Sequence, residues 1–289
     1  MGGNRIVLLY GEQLPVGREL ELSVKVLEQN YLWSHEAGIL YPSPGGAGLR
    51  IKISEPTLPS FISACGGMTQ VLGKALVETK WGEYFQIEIR EPVTEVALET
   101  DAGPTRLEIH TAGGKALRTI TDMRAFLGEC LEIGIRSWNL KDVEVTQAGV
   151  VMVVNADKIR EVYPRVNFNG WDAQTRELLT EMQNEFHEKT GQREYYLTLY
   201  DWNSERGGDL RVLFPHCIPQ NFIEPSCGTG SVALGVALVA SGELERSRGR
   251  PDGQIKLKLE AGGSIELGGP DITELFLEFN GGEQIGRAS

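Results

Sequence analysis

Residues 65–77 (CGGMTQVLGKALV) and residues 227–239 (CGTGSVALGVALV) share seven of thirteen positions without a gap. Two unrelated stretches of ordinary composition would share roughly one. In both stretches a cysteine-glycine pair begins an apolar run that predicts a helix. The chain therefore consists of two similar halves, each with a cysteine at the first turn of an apolar helix.

The flanking sequence predicts a mixture of strands and helices. Alternating or apolar runs predict strands at residues 5–10, 49–53, 84–89, 93–99, 106–111, 116–120, 143–154, 194–200 and 209–214. Helical spacing and capping residues predict further helices at residues 19–30, 125–135 and 172–189. The four runs between residues 84 and 120, with turn signals at residues 102–104 and 113–114, favour an antiparallel meander.

Composition excludes several classes of partner. The 289 residues carry 28 basic and 40 acidic side chains, a net charge of -12, without a cluster of Lys or Arg, so no nucleic-acid partner is expected. No apolar stretch is long enough to span a bilayer, and the start of the chain lacks a signal-peptide pattern. We therefore expect no membrane partner and a cytoplasmic protein, in which the four cysteines stay reduced.

Cys65 and Cys227 are the candidate catalytic residues. The first turn of a helix presents unpaired N–H groups and about half a positive charge, which favours a thiolate and attracts a carboxylate. Two thiols on opposite sides of one carbon can act as general base and general acid. This is racemisation without a cofactor, and the cleft between the halves is the expected site.

The residues beside the two cysteines are candidates for binding the substrate. Glycines let the backbone approach a ligand closely, and hydroxyl groups donate hydrogen bonds to a carboxylate. The candidates are Gly66, Gly67, Thr69, Gly228, Thr229, Gly230 and Ser231. Glu224, in the Glu-Pro pair before Cys227, fits either a helix-entry turn or a role in proton transfer.

The other two cysteines are assigned no catalytic role. Cys130 lies in the apolar pattern of a helix, where a buried thiol normally serves as packing. Cys217 follows His216, but the remaining histidines are scattered and no metal-ligand spacing surrounds the pair. We therefore predict no metal site.

These residues resemble motifs of the diaminopimelate epimerase superfamily, which includes the proline racemases and the PhzF-like isomerases. Residues 227–231 are similar to the motif that carries one catalytic cysteine, and residues 63–69 resemble the motif that carries the other. The start of the chain, residues 3–7, is similar to the family's opening Gly-Asn-Asp-Phe, so Asn4 corresponds to a substrate-binding asparagine. Glu224-Pro225 resembles the Asp-Pro turn of the PhzF-like branch.

The resemblance implies an α+β fold of two pseudo-symmetric domains, each a mostly antiparallel sheet wrapped around a central helix. The expected domains are residues 1–138, with a return strand at about 274–289, and residues 139–273. The expected function is a cofactor-independent racemase or epimerase of an amino acid or related small carboxylic acid. The alternatives are a 1,3-proton-shift isomerase of a small unsaturated acid and a noncatalytic protein that binds a small acid. A homodimer is the candidate assembly.

Overall fold

The computed structural model describes residues 5–28, 31–43, 48–56, 58–168, 171–191, 196–202, 212–215, 223–224 and 227–243, and the backbone alone of 210–211, 216, 222, 255–259, 263–267 and 275–280. The strands are β1 (Ile6–Tyr10), β2 (Glu36–Pro42), β3 (Gly48–Ser54), β4 (Val93–Thr100), β5 (Gly103–Ala112), β6 (Lys115–Asp122), β7 (Ile135–Leu140), β8 (Val143–Ala148), β9 (Val151–Asn155), β10 (Tyr196–Asp201), β11 (Leu210–His216), β12 (Phe222–Glu224), β13 (Ile255–Leu259), β14 (Gly263–Leu267) and β15 (Leu275–Asn280). The helices are α1 (Glu19–Leu27), α2 (Gly66–Glu78), α3 (Trp81–Tyr84), α4 (Arg124–Ile133), α5 (Ala156–Val162), α6 (Ala173–Thr190) and α7 (Gly228–Ala240). The predicted α+β class is confirmed.

The chain forms two compact units. Unit 1 comprises Met1–Phe126, Ala261–Ser264 and Glu274–Ser289, and unit 2 comprises Leu127–Glu260 and Ile265–Thr273. The boundary expected from the sequence, at residue 138, falls within β7, which belongs to unit 2.

The sheet of unit 1 has the strand order β1-β2-β3-β4-β5-β6-β15. β4, β5 and β6 form an antiparallel meander from three of the four runs that the sequence predicts for it. The last strand, β15, pairs antiparallel with β6, so that Leu277 lies opposite Thr121. The C-terminal segment thus extends the sheet that the N-terminal segment begins.

The sheet of unit 2 has the strand order β13-β11-β10-β9-β8-β7, and β12 pairs with β11. The pairing type repeats between the two units. β1-β2-β3-β4 pair in the succession parallel, antiparallel, parallel, and β9-β10-β11-β13 follow the same succession. In addition, α2 follows β3, and α7 follows the β11–β12 hairpin. The halves that the sequence repeat predicts are therefore structural repeats as well.

Each unit has one helix at its centre. α2 contacts β1, β2, β5 and β6, and ten of its thirteen residues are buried. α7 contacts β8, β9 and β10, and its first eleven residues are buried. A helix that is apolar on all sides requires cover on all sides, because only burial removes that surface from water. The sheets supply this cover, as the predicted fold requires.

Several elements differ from the sequence-based expectation. The strand predicted at residues 84–89 is wrong, because Tyr84 ends α3 and Phe85 packs with the stacked rings of Tyr10 and Trp81. The strand predicted at 143–154 is two strands, β8 and β9, with Gly149 at φ +61° between them. The sequence does not predict β2, β7 or α5. β2 has four consecutive buried residues and therefore lacks the alternation that marks a strand with one exposed face.

Candidate active site

Cys65 is the N-cap residue of α2. Its backbone is extended, with φ -149° and ψ 115°, and its Sγ accepts a hydrogen bond from Met68 N at 3.2 Å. A small side chain with an acceptor atom suits this position, because it satisfies one of the N–H groups that the first turn leaves without an intrahelical partner. The thiol is 7% exposed. The helix start therefore fixes the position of the sulfur.

Cys227 has the same setting at α7. Its backbone has φ -135° and ψ 118°, and its Sγ lies 3.4 Å from Gly230 N, which donates to it. Thr229 Oγ1 lies 3.2 Å from the same sulfur. The residue is 9% exposed. The two cysteines that the sequence repeat selects thus occupy equivalent positions in the two units.

Both helix starts are electrostatically suited to an anion. Neither α2 nor α7 has an acidic residue in its first turn, so no carboxylate of the helix itself offsets the partial positive charge there. In α2 the N–H groups of Gly66 and Gly67 have no intrahelical acceptor, and the same holds for Gly228 and Thr229 in α7. A carboxylate and a thiolate are both stabilised in such a place.

The structure adds a residue that the sequence analysis missed. Glu36, the first residue of β2, accepts a hydrogen bond from the Cys65 thiol, with 2.8 Å between Sγ and Oε2. β2 runs parallel to β1, and Glu36 lies opposite Ile6. Its sequence signal is a single acidic residue before the apolar run 37–40, but that signal has no meaning until β2 is recognised as a strand.

Two of the predicted substrate-binding hydroxyl groups bind backbone atoms of their own helices. Thr69 Oγ1 donates to Gly66 O at 2.8 Å and lies 2.7 Å from Thr121 Oγ1. Ser231 Oγ donates to Cys227 O at 2.6 Å. Both side chains are buried, and each stands four residues after its cysteine. Each hydroxyl group thus bonds the first turn of its own helix, Thr69 to the residue after the cysteine and Ser231 to the cysteine itself.

Gly230 has a packing role that its position explains. A Cβ atom at Gly230 would lie 2.7 Å from ring atoms of Phe214 and 2.7 Å from Thr198 Oγ1. Thr198 Oγ1 also donates to Gly230 O at 3.4 Å. The absence of a side chain thus lets the first turn of α7 pack directly on β10 and β11.

Glu224 is a buried residue at the end of β12, opposite Phe214 of β11. It stands three residues before Cys227 and so lies on the segment that leads into α7. Asn4, the remaining predicted binding residue, lies outside the described residues, as does Cys217.

Cys130 is buried, as its helical pattern predicts. Burial, and to a smaller extent Glu129, raises the pKa of its thiol to about 12. Its Sγ would lie 2.9 Å from a Cβ at Gly149, which shows how closely the β8–β9 turn packs on it. Cys130 therefore acts as a packing residue of α4 rather than as a nucleophile.

Metal-ligand clusters and membrane-spanning helices are both absent from the described residues. No group of three or more His, Cys, Asp or Glu side chains among them could hold a metal ion. No helix in the described part of the chain is both long and apolar enough to cross a membrane.

No protein-family model and no curated protein sequence matches the chain. Solved structures do match it. A probable proline racemase from Agrobacterium radiobacter K84 with bound carbonate superposes with a TM-score of 0.62 at 17% identity, over 94% of this chain and 82% of the other. A hydroxyproline epimerase from Agrobacterium vitis with bound trans-4-hydroxy-L-proline gives a TM-score of 0.61 at 19% identity, over 92% and 76% of the two chains. Methylitaconate-delta-isomerase gives 0.59 at 17% identity, over 95% and 89%. The chain thus has the fold of these proline racemase, hydroxyproline epimerase and isomerase structures.

Proposed function

We propose that the protein is a cofactor-independent racemase or epimerase of an amino acid or related small carboxylic acid, with Cys65 and Cys227 as the acid/base pair. The observation that carries the proposal is the equivalent placement of both thiols at the N-termini of the central helices. The fold shared with racemase, epimerase and isomerase structures supports it.

The proposed reaction moves one proton off a carbon and one proton onto it. The thiolate of one cysteine takes the proton from the carbon beside the substrate carboxylate, and the thiol of the other cysteine gives a proton to the opposite face. The helix termini stabilise the negative charge that develops on the carboxylate as the carbon loses its proton. After one turnover the side that acted as the base holds one more proton, the sulfur that acted as the acid holds one fewer, and the configuration at the carbon is inverted.

Glu36 makes the Cys65 side of the pair a proton acceptor. A thiol that donates a hydrogen bond to a carboxylate has one proton between the two groups, and the pair can take up a second proton. The hydrogen bond between Cys65 Sγ and Glu36 Oε2 joins the two groups. The pair can therefore accept one further proton from the substrate, which makes Cys65 with Glu36 the general base in our proposal.

Glu36 also favours a second candidate function, a 1,3-proton-shift isomerase of a small unsaturated acid. A carboxylate next to the reacting carbon can take a proton from one position and return it at another on the same face. Glu224 is a further candidate for this role, and the match to methylitaconate-delta-isomerase supports this alternative. A noncatalytic small-acid binding protein is the third candidate, with the helix termini as its anion site.

Proton exchange in deuterium oxide tests these functions. We would incubate the protein with pooled amino acids and small carboxylic acids and follow the loss of proton signals by NMR. The Cys65→Ala, Cys227→Ala double variant should lose exchange at the carbon beside the carboxylate, whereas Cys130→Ala should retain it, because Cys130 is buried in α4.

The outcomes separate the three functions. Exchange that survives in the double-cysteine variant contradicts the two-cysteine mechanism. Exchange at a vinylogous carbon, dependent on Glu36, favours the isomerase. Binding of pooled acids without any exchange favours the binding protein.

A further inference from the structure

The strand pairings near Cys65 and Cys227 show which residues of the two units occupy equivalent positions. In unit 1, Ile53 pairs with Gly38 and also forms an antiparallel bridge with Ile62, which stands three residues before Cys65. In unit 2, Phe214 pairs with Glu224, which stands three residues before Cys227. Ile53 and Phe214 are therefore equivalent positions.

The neighbouring strand extends this equivalence. Continuing the β10–β11 register by one residue from the pair Leu199 and Leu213 places Thr198 opposite Phe214. Thr198 is therefore the counterpart of Gly38. Glu36 stands two residues before Gly38 on β2, and Tyr196 stands two residues before Thr198 on β10. Tyr196 is therefore the counterpart of Glu36.

Two independent observations support the equivalence of these positions. The parallel pairs β1–β2 and β9–β10 begin with Ile6 opposite Glu36 and with Val151 opposite Tyr196. A Cβ at Gly38 would lie 2.5 Å from Met68 Sδ, and Met68 is three residues after Cys65. In unit 2 the equivalent contact is between Thr198 and Gly230, and Gly230 is three residues after Cys227.

We infer that Tyr196 positions the substrate from the Cys227 side of the site through its hydroxyl group. Side chains two residues apart on a strand lie on the same face, so Tyr196 shares the face of Thr198, which contacts the first turn of α7. In unit 1 the residue at this place, Glu36, reaches the cysteine sulfur. By this equivalence we assign the Tyr196 hydroxyl group, which is buried, to the Cys227 side of the site.

The two counterparts differ in chemistry. A phenol ordinarily keeps its proton up to about pH 10, so it donates a hydrogen bond where a carboxylate accepts one. Tyr196 thus binds an acceptor oxygen of the substrate carboxylate, while Cys227 remains the thiol that supplies a proton. This inference rests on the proposed function and names the group that orients the acid in it.

The test compares two alkylating reagents and therefore needs no substrate. Iodoacetate carries a carboxylate and iodoacetamide does not, and peptide mapping by mass spectrometry reports the rate at each cysteine. The variant is Tyr196→Phe, which removes only the hydroxyl group. The matched control is Tyr200→Phe, since Tyr200 lies on the same face of β10 and donates its hydroxyl hydrogen bond to Glu243 at 2.9 Å instead.

We expect Tyr196→Phe to slow alkylation of Cys227 by iodoacetate about tenfold, because a hydrogen bond to a charged group is lost. The iodoacetamide rate at Cys227, both rates at Cys65, and all rates in Tyr200→Phe should stay unchanged. An unchanged iodoacetate rate would overturn the inference, and so would equal slowing by both reagents. If this selective loss is observed but the deuterium experiment shows no exchange, only the proposed catalytic function fails.

Discussion

The two cysteines have equivalent backbones but different neighbours. The Cys65 thiol donates a hydrogen bond to the Glu36 carboxylate, whereas Cys227 Sγ lies 3.2 Å from the hydroxyl group of Thr229. A carboxylate next to a thiol opposes formation of a second negative charge, whereas a hydroxyl group can donate to a thiolate. The chemistry of the pair is therefore unequal even though the helix starts that hold it are alike.

Replacement of Glu36 tests this inequality at a single residue. In Glu36→Gln the negative charge beside Cys65 is lost, so the thiolate should form at a lower pH, and iodoacetamide should alkylate Cys65 about tenfold faster at pH 7. The rate at which iodoacetamide alkylates Cys227, measured by peptide mapping, should be unchanged. Proton exchange should fall by about 100-fold or more, because the base loses its carboxylate.

Glu12→Gln is the control for this experiment, since Glu12 accepts a hydrogen bond from the exposed Tyr84 hydroxyl group. Equal reactivity of Cys65 in the Glu36→Gln protein and in the unmodified protein would contradict the assigned contact.

Ionisation of Cys130 should make the free energy of unfolding depend on pH. Its pKa, raised to about 12 by burial, keeps the thiol neutral in the native state, whereas an unfolded chain ionises it near pH 9. Between these values the unfolded state holds fewer protons, so the free energy of unfolding should decrease as the pH rises from about 9 towards 12. Urea titrations should show a weaker decrease in Cys130→Ala. Rapid iodoacetamide labelling of Cys130 in the native protein at pH 8 would be inconsistent with this assignment.

At the scale of elements, close packing of the central helices on their sheets depends on small residues. Gly73 of α2 faces β5 and β6, and a Cβ there would lie 2.7 Å from Thr119 Cγ2 and 3.1 Å from Leu107 Cδ2. By contrast, a Cβ built on Gly128 of α4 would meet no heavy atom of the described residues within 4 Å, apart from its chain neighbours and the backbone of its own helix. The same residue type thus has a packing role in one helix and none in the other.

Alanine substitutions should separate these roles. Gly73→Ala should lower the free energy of unfolding by about 1–3 kcal/mol, because β5 and β6 must move to admit the methyl group. Gly128→Ala should raise it by up to about 1 kcal/mol, since alanine favours the helix. Urea denaturation measures both. A stabilised Gly73→Ala protein would show that α2 does not pack on β6 as described.

At the scale of the whole molecule, the C-terminal strand belongs to the N-terminal unit. β15 pairs with β6 from Phe276 opposite Asp122 to Asn280 opposite Arg118. Without β15, half of the backbone N–H and C=O groups of β6 would lose their partners along that edge. The folding of unit 1 therefore depends on residues that follow the whole of α7.

Deletion of residues 275–289 should consequently destabilise unit 1 and expose β6. We expect hydrogen exchange to speed up at alternate amides of β6, with a smaller effect on β8 and β9 of unit 2. Deletion of residues 281–289, which retains β15, is the control and should leave the β6 amides protected. Equal protection of β6 in both truncated proteins would refute the pairing.

Local sequence alone determined the two cysteine-bearing helices, most of the other strands and helices, and the antiparallel meander. These features depend on spacing within short segments, which is visible in the order of residues. The repeat of Cys65 and Cys227 also identified the candidate pair, because identical residues at a fixed offset need no tertiary information.

Only the tertiary structure decided which residues meet the two sulfurs. Glu36 is 29 residues from Cys65 along the chain and reaches it because β2 pairs with β1 on one side of α2. Tyr196 becomes the counterpart of Glu36 only through the strand register. Contacts between distant segments follow from how the sheets pair and wrap around the helices, and no spacing within a segment encodes that pairing.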